Sequence, residues 1–435
     1  MMKFFVCSLA PLLAVTSVLA QDTTAQKADL HFQSTYIYQY KPGFTSAYNG
    51  PHSISSAEEK QNSLTATLYF GVKLWHGAEL YINPELAGGS GLSGAFGMAG
   101  STNGESFRVG DPSPSVYLAR GYVRQTFPLS KAYSWNEDGQ NQLITRQPTR
   151  FFRISAGKFS LGDFFDNNKF ANGPRTQFLN WALMNNSAWD YSANLRGYTA
   201  GAVLSLRWDK MSYSVAMAAE PKVANGADLN YDYGKTHGIV GEVARAITIN
   251  KQEGNVRVLI YQNTANMGIY KDAIAATTGT PDVISTEHSG RTKTGFSINA
   301  DQQLTNNIGV FARVGWNDGK TETWAFTEAD RTLSAGVNID GHLWHRNNDN
   351  IGVAGLLNGL SADHKNYLAA GGLGFQLGDG ALQYAPEMIT EVYYSCKPLG
   401  SGFWFSCDYQ FAAHPGYNKS RGPLNVLSFR MHVEI

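Results

Sequence analysis

Segments of about ten residues in which apolar and polar side chains alternate recur along this 435-residue chain. The clearest is SLTATLYFGVKLW. Leu64, Ala66, Leu68, Phe70, Val72 and Leu74 fall on one face, and Ser63, Thr65, Thr67, Tyr69 and Lys73 on the other. Period two is the signature of a strand with one apolar and one polar face. After the dipeptide HG, the stretch AELYINPEL repeats the pattern, so the two runs read as a hairpin. LSLRWDKMSYSVAM, QQLTNNIGVFARVGW and YYSCKPLGSGFWFSCDYQF read the same way. The alternation persists to the closing LSFRMHVEI, with no capping turn and no charged tail. A soluble sandwich also uses such strands. A sheet that closes on itself in lipid, where no open edge is tolerated, needs its last residues in register with its first strand. The partner expected for this ending is ADLHFQSTYIYQY, near the start.

The connections alternate in length. Tight turns near Trp75–Gly77, Trp208–Lys210 and Leu304–Asn306 are each followed by a long Gly/Asn/Asp-rich loop. Long loops are expected at 41–61, 88–114, 160–194, 220–236, 264–290, 317–329, 359–385 and 412–424. Short turns at one end and long loops at the other are the pattern of an outer-membrane barrel. GGLGFQLG (371–378) breaks the parity as a strand and is assigned to a loop, after a short helix SADHKNYLAA. Eight long loops then imply a transmembrane antiparallel up-and-down β-barrel of about sixteen strands. Its short turns are periplasmic and its long loops extracellular. The 128–149 connection is too long for this pattern.

Charged residues make up 16% of the chain, below the roughly 25% of ordinary soluble proteins. That fits strands with one face in lipid. The zero net charge implies no nucleic-acid partner. The first residues read as a secretory signal: Lys3, an apolar run from Phe4 to Leu19, and cleavage expected after Ala20. The remaining 21–435 read as one barrel domain, exported to a bacterial outer membrane and in contact with its lipid. Cys396 and Cys407 fall on apolar faces, and a turn near Ser401 would set them directly opposite.

Several long stretches carry a resemblance: RISAGKFSLGDFFDNN (153–168), PRTQFLNWALM (174–184), AWDYSANLRGY (188–198), FARVGWNDGKTETWAFTEADRTLSAG (311–336), NGLSADHKNYLAAGGLGF (358–375) and HPGYNKSRGP (414–423). The chain resembles the OprB-type carbohydrate-selective porins. The resemblance implies a sixteen-stranded outer-membrane barrel that passes sugars by diffusion. One departure is the ending on Ile435 instead of an aromatic residue.

A sugar pore needs donors and acceptors on opposing walls and aromatic faces for the ring. Alternation selects Glu79, Tyr81, Asn83 and Glu85 on one strand, and Arg120, Tyr122 and Arg124 on another. Arg153, Arg257, Tyr261, Asn263, Arg313 and Asn317 also fall on polar faces. In 160–194, Phe178, Trp181, Ala182 and Met184 have near-helical spacing after Pro174. A loop with its own apolar face can pack inside the barrel. Asp163, Asp166, Arg175 and Trp181 are its candidates for a constriction. Arg120 and Arg124 are expected to donate to sugar hydroxyls, with Glu79 and Glu85 as acceptors. No cofactor and no metal site are expected. His342 and His345 approach a turn without a third ligand. A general diffusion porin and an outer-membrane hydrolase are the alternatives. Which sugar passes, and whether the barrel is a monomer or a trimer, stay open.

Overall fold

The computed structural model describes residues 25–106, 113–398 and 402–435. The signal expected over 1–20 lies outside the described residues. Strands form where the alternation runs unbroken. In chain order they are β1 (Ala28–Lys41), β2 (Glu59–Trp75), β3 (Ala78–Gly89), β4 (Ser115–Pro128), β5 (Phe151–Phe159), β6 (Thr199–Trp208), β7 (Met211–Ala218) and β8 (His237–Ile249). Then follow β9 (Gln252–Ala265), β10 (Arg291–Thr305), β11 (Ile308–Asn317), β12 (Arg331–Asp340), β13 (Asn350–Gly359), β14 (Glu387–Cys396), β15 (Phe403–Ala413) and β16 (Leu424–Glu434). These strands pair antiparallel with their sequence neighbours and close into one barrel.

Closure is made by β16 on β1, in register from Gln33↔Glu434 to Tyr40↔Leu427. Phe32 N donates to Ile435 O at 2.8 Å, and Ile435 N donates to Phe32 O at 2.9 Å. The ladder therefore runs to the last residue and leaves no strand edge. Leu64, Leu68, Phe70 and Leu333 point outward and are exposed, while Thr65, Thr67, Asn299 and Glu391 are buried inside. This inverts the usual order of a water-soluble fold, and lipid is the solvent that makes such an exterior favourable. Among the described residues no helix is long and apolar enough to cross a membrane.

The turn end is built from tight connections. Gly77 has φ +77°, and a Cβ there would meet Thr126 O at 2.3 Å. Asn250 and Lys251 both have positive φ, at 51° and 65°, the twist that a two-residue hairpin needs. The exception is 129–150, between β4 and β5. It forms a small hairpin, Tyr133–Trp135 with Arg146–Pro148, and its middle turns back into the barrel mouth. Leu143 is buried there beside Tyr81 and Tyr122. Gln140 Nε2 reaches Gln33 Oε1 at 2.7 Å and Glu434 Oε1 at 3.1 Å. The length of this connection is thereby explained: it is a second inserted segment.

The longest loop, between β5 and β6, also runs inside. Its helix is shorter than the spacing after Pro174 suggests, a single turn over Trp181–Met184. Asn180 caps it, accepting from Ala182 N at 2.9 Å. The helix does not extend back to Pro174, because the backbone groups that would continue it are bound by the wall and by the neighbouring loop, Trp181 N donating to Ser101 O at 3.0 Å. Glu391 accepts from Leu179 N and, at 3.0 Å, from Asn180 N. Arg430 donates to Gln177 O at 2.7 Å and also to Pro174 O. At the loop end, the helix Ala362–Ala369 falls where SADHKNYLAA suggested one.

One register differs from expectation. The turn placed near Ser401 falls on residues outside those described, but the flanking ladder pairs Cys407 with Tyr394 and Cys396 with Phe405. The hairpin centre lies one residue earlier than expected. That moves each partner by two positions, and period two keeps both thiols on the outward face. The cysteines are diagonal neighbours, and both are free. Diagonal Cβ atoms lie about 7 Å apart, against about 4 Å in a disulfide. Alkylation of the unreduced, exported protein followed by intact-mass measurement should therefore find two modified thiols. A mass two hydrogens lighter with no alkylation would contradict the register.

Candidate functional site

Between the inserted segments the lumen holds a cavity of about 380 Å³. Its wall side is formed by β1–β4 and β16, and its other side by the 160–198 loop together with residues 104–106 and 325–326. A bulge at Ala119 shapes the wall: Asn83 pairs with Arg120, but Pro84 pairs with Leu118. The extra residue resets the alternation, so Tyr117 and Arg120 both face inward.

Arg120 is held by Asp163 through two parallel bonds, Nε to Oδ2 at 2.7 Å and Nη2 to Oδ1 at 2.6 Å. Its guanidinium also lies 5.2 Å from the Tyr198 ring. Arg175 bridges two carboxylates, with Glu105 Oε2 at 2.8 Å and Glu85 Oε2 at 3.2 Å, and donates to Tyr69 Oη at 3.1 Å. Burial alone would lower the pKa of Arg175, but Glu105, Tyr69 and Glu85 hold it above the ordinary arginine value. Burial, then Glu85, push the Tyr198 phenol up, so it stays neutral and donates to Glu85 Oε1 at 3.0 Å. Opposite these groups stands an aromatic wall. Trp181 and Phe326 stack at 5.9 Å with 24° between their planes, and Tyr191 lies 4.4 Å from Phe326.

Of the residues selected from the sequence, Glu85, Arg120, Asp163, Arg175 and Trp181 meet at this cavity. The others do not line it. Arg124 sits under the 129–150 segment, donating to Tyr122 Oη at 3.2 Å and Asn141 O at 3.2 Å, with Glu79 at 3.7 Å. Tyr81 and Asn83 are buried in the same place, Asn83 bonding Asn141 Oδ1 at 2.8 Å. Arg153 bonds Thr126 and Gln147 beside them. The expected pairing of Arg120 with Arg124 as donors, and of Glu79 with Glu85 as acceptors, is thus split by an inserted segment.

Arg257 and Arg313 are wall anchors. Arg257 pairs with Asp301. Arg313 is fully buried: Nη1 donates to Leu183 O at 2.8 Å, Nη2 to Ala171 O at 2.6 Å, and Nε pairs with Asp166 at 3.2 Å. Asp190 works in the opposite sense, accepting from the backbone of Trp324, Ala325 and Phe326 and pairing with Lys293 at 3.2 Å. It draws the β11–β12 loop onto the 160–198 loop and sets Phe326 at the cavity.

Glu105, Tyr191, Arg196, Tyr198 and Phe326 were not selected from the sequence, because alternation speaks only for strands. A signal for them does exist. Loops expected to meet water carry clustered aromatic residues, in AWDYSANLRGY and TETWAF, and such clusters need a surface to pack on.

A family model described as "Carbohydrate-selective porin, OprB family" matches residues 52–435. No curated protein sequence matches significantly. Among solved structures, the high-pH form of OprB from Pseudomonas putida superposes with a TM-score of 0.72 at 16% identity, covering 94% of each chain. The low-pH form gives 0.50 at 13%, covering 94% of this chain and 93% of that one. The outer-membrane channel DcaP of Acinetobacter baumannii gives 0.52 at 9%, covering 95% and 99%. At these identities the likeness is one of fold.

Replacing Arg313 by Ala should free the 160–198 loop. It leaves Asp166 buried without its cation, a loss of about 3–5 kcal/mol. Limited proteolysis should then cut within 160–198, and open-channel conductance should rise. Leu333→Ala, on the outward face, should change neither. An Arg313→Ala barrel as protease-resistant and as conductive as the parent would overturn this role.

Proposed function

The chain belongs to the OprB family of carbohydrate-selective porins, and on that footing we propose that sugars cross it by exchanging water for the charged groups around the 380 Å³ cavity. It is an outer-membrane barrel that passes carbohydrates. Its turn end, where 129–150 inserts, is the periplasmic one. The observation that carries the proposal is the arrangement of the charges. Arg120 and Arg175 present guanidinium forks, Asp163, Glu85 and Glu105 present acceptors, and Trp181 with Phe326 presents an aromatic face. Vicinal hydroxyls can take donors from a fork while a carboxylate accepts from a neighbouring hydroxyl. The ring's C–H surface can lie on the indole.

The charges already satisfy one another, so a solute competes for bonds that exist. Binding stays weak and the sugar leaves. With both signs present, neither ion sign is strongly favoured. We read the chain as a channel with no chemical step. The hydrolase alternative is tested by assaying the solubilised barrel for esterase and phospholipase activity.

Single-channel conductance titrated with mono- and disaccharides tests the main reading. Sugars should block the ion current of the parent. Replacing Arg120 and Arg175 together by Ala should raise ion conductance and weaken the block by about 1.5–3 kcal/mol, the range for hydrogen bonds to charged groups. Leu68→Ala with Leu333→Ala should leave both unchanged. A parent channel that no sugar blocks would favour the general diffusion porin. An arginine double variant blocked as the parent is would remove these residues from the binding step.

A further inference from the structure

We propose that Asp29, His31 and Asp138 form a site for a divalent transition cation of the zinc class, at the seam between the first strand and the inserted periplasmic segment. The sequence suggested no metal site, because the three residues come from chain segments a hundred positions apart. Folding brings one ligand atom from each within 4.8 Å of the others. His31 Nε2 lies 2.7 Å from Asp29 Oδ2 and 3.3 Å from Asp138 Oδ1.

Two further observations point to a ligand. Asp29 Oδ2 and His31 Nε2 are both fully shielded from solvent, yet neither has a hydrogen-bond partner. They are close enough to bond each other, so the fault is in direction: the pair meets in distance but is not aligned for N–H···O. A shared third atom resolves that misfit. The second observation is charge. Among the described residues neither Asp29 nor Asp138 has a lysine or arginine partner, and Asp29 Oδ1 is occupied only by Leu30 N at 2.9 Å. Two carboxylates therefore converge on one imidazole with no fixed cation.

The donor set selects the metal class. One imidazole and two carboxylates suit Zn²⁺ and its neighbours. Calcium takes six to eight oxygens and magnesium a near-ideal octahedron, and this site offers neither. Zinc–ligand bonds of about 2.0–2.2 Å in a tetrahedron set the ligand atoms roughly 3.3 Å apart. The two spacings to His31 Nε2 are 2.7 and 3.3 Å and the third is within 4.8 Å, and the exposed Asp138 side chain is free to move inward. Three protein ligands leave a fourth position for water. A bound ion would fasten Asp138, and with it Gln140, which bridges Gln33 and Glu434 at the periplasmic end of the cavity.

The test uses the full mature barrel in detergent, without an affinity tag and stripped by chelator. Zn²⁺ is titrated in competition with a chromophoric chelator, and Co²⁺ absorbance is followed in parallel. One ion per barrel should bind in the micromolar range. His31→Gln and Asp138→Asn should each weaken binding by about tenfold or more, and His342→Gln, on a distant turn, should have no effect. Heat-modifiable migration reports that each variant is folded. Asp138→Asn changes an exposed side chain and keeps the test valid if His31→Gln fails to assemble. The proposal is overturned if the parent binds no more Zn²⁺ than these variants. It is also overturned if the loss follows His342→Gln, or if Ca²⁺ binds as tightly as Zn²⁺.

Discussion

Lipid offers no partner to a backbone N–H or C=O, and everything else in this molecule follows from that constraint. It requires the sheet to close, and the closing seam between β1 and β16 runs in register to Ile435. It also confines irregular backbone to places where protein or water can satisfy it. The 160–198 loop and the 129–150 segment both take the inside of the barrel, because wall side chains there meet their peptide groups. Arg313, Arg430 and Glu391 each bind loop backbone directly.

The lumen charges therefore divide into two sets with different work. One set, typified by Arg313 with Asp166 and Arg430 with Asp408, is buried and holds the inserted loop. Removing one member of such a pair leaves a buried charge uncompensated, which is why these pairs act as anchors. The other set, Arg120 with Asp163 and Arg175 with Glu85 and Glu105, borders the cavity. Under the proposed function, its bonds are the ones a polar solute would exchange with. The two sets share residue types and both lie inside the barrel, and only depth beneath the inserted segments separates them.

The fold was legible to the level of strand number because alternation and connection length are both local signals. Leu64 and Leu68 against Thr65 and Thr67 need no tertiary information to be assigned to opposite faces. The hairpin at Cys396 and Cys407 shows the limit: faces were readable, but a turn centre one residue away changed the partners. The candidate site was half legible. Glu85, Arg120, Asp163, Arg175 and Trp181 were selected by asking which polar faces and which unusual loop a solute could meet, and they line the cavity. Arg124 and Glu79 satisfied the same criterion, and the 129–150 segment covers them. Tyr198 and Phe326 were missed because no period governs a loop.

What the sequence by itself determined is the barrel, its outward apolar face, its two kinds of connection and its inward polarity. Each follows from the period of two and from the exclusion of sheet edges by lipid, and both constraints act residue by residue. What only the tertiary structure decided is which inward residues face open space. That depends on where the inserted irregular segments come to rest, and their path is set by side chains far away in sequence. Asp190 binding the backbone of 324–326 and Arg313 gathering carbonyls from 171 to 183 are contacts between distant positions. No local pattern encodes them, because a carboxylate or a guanidinium on a polar face looks the same in sequence whether it meets water, a sugar or a peptide bond.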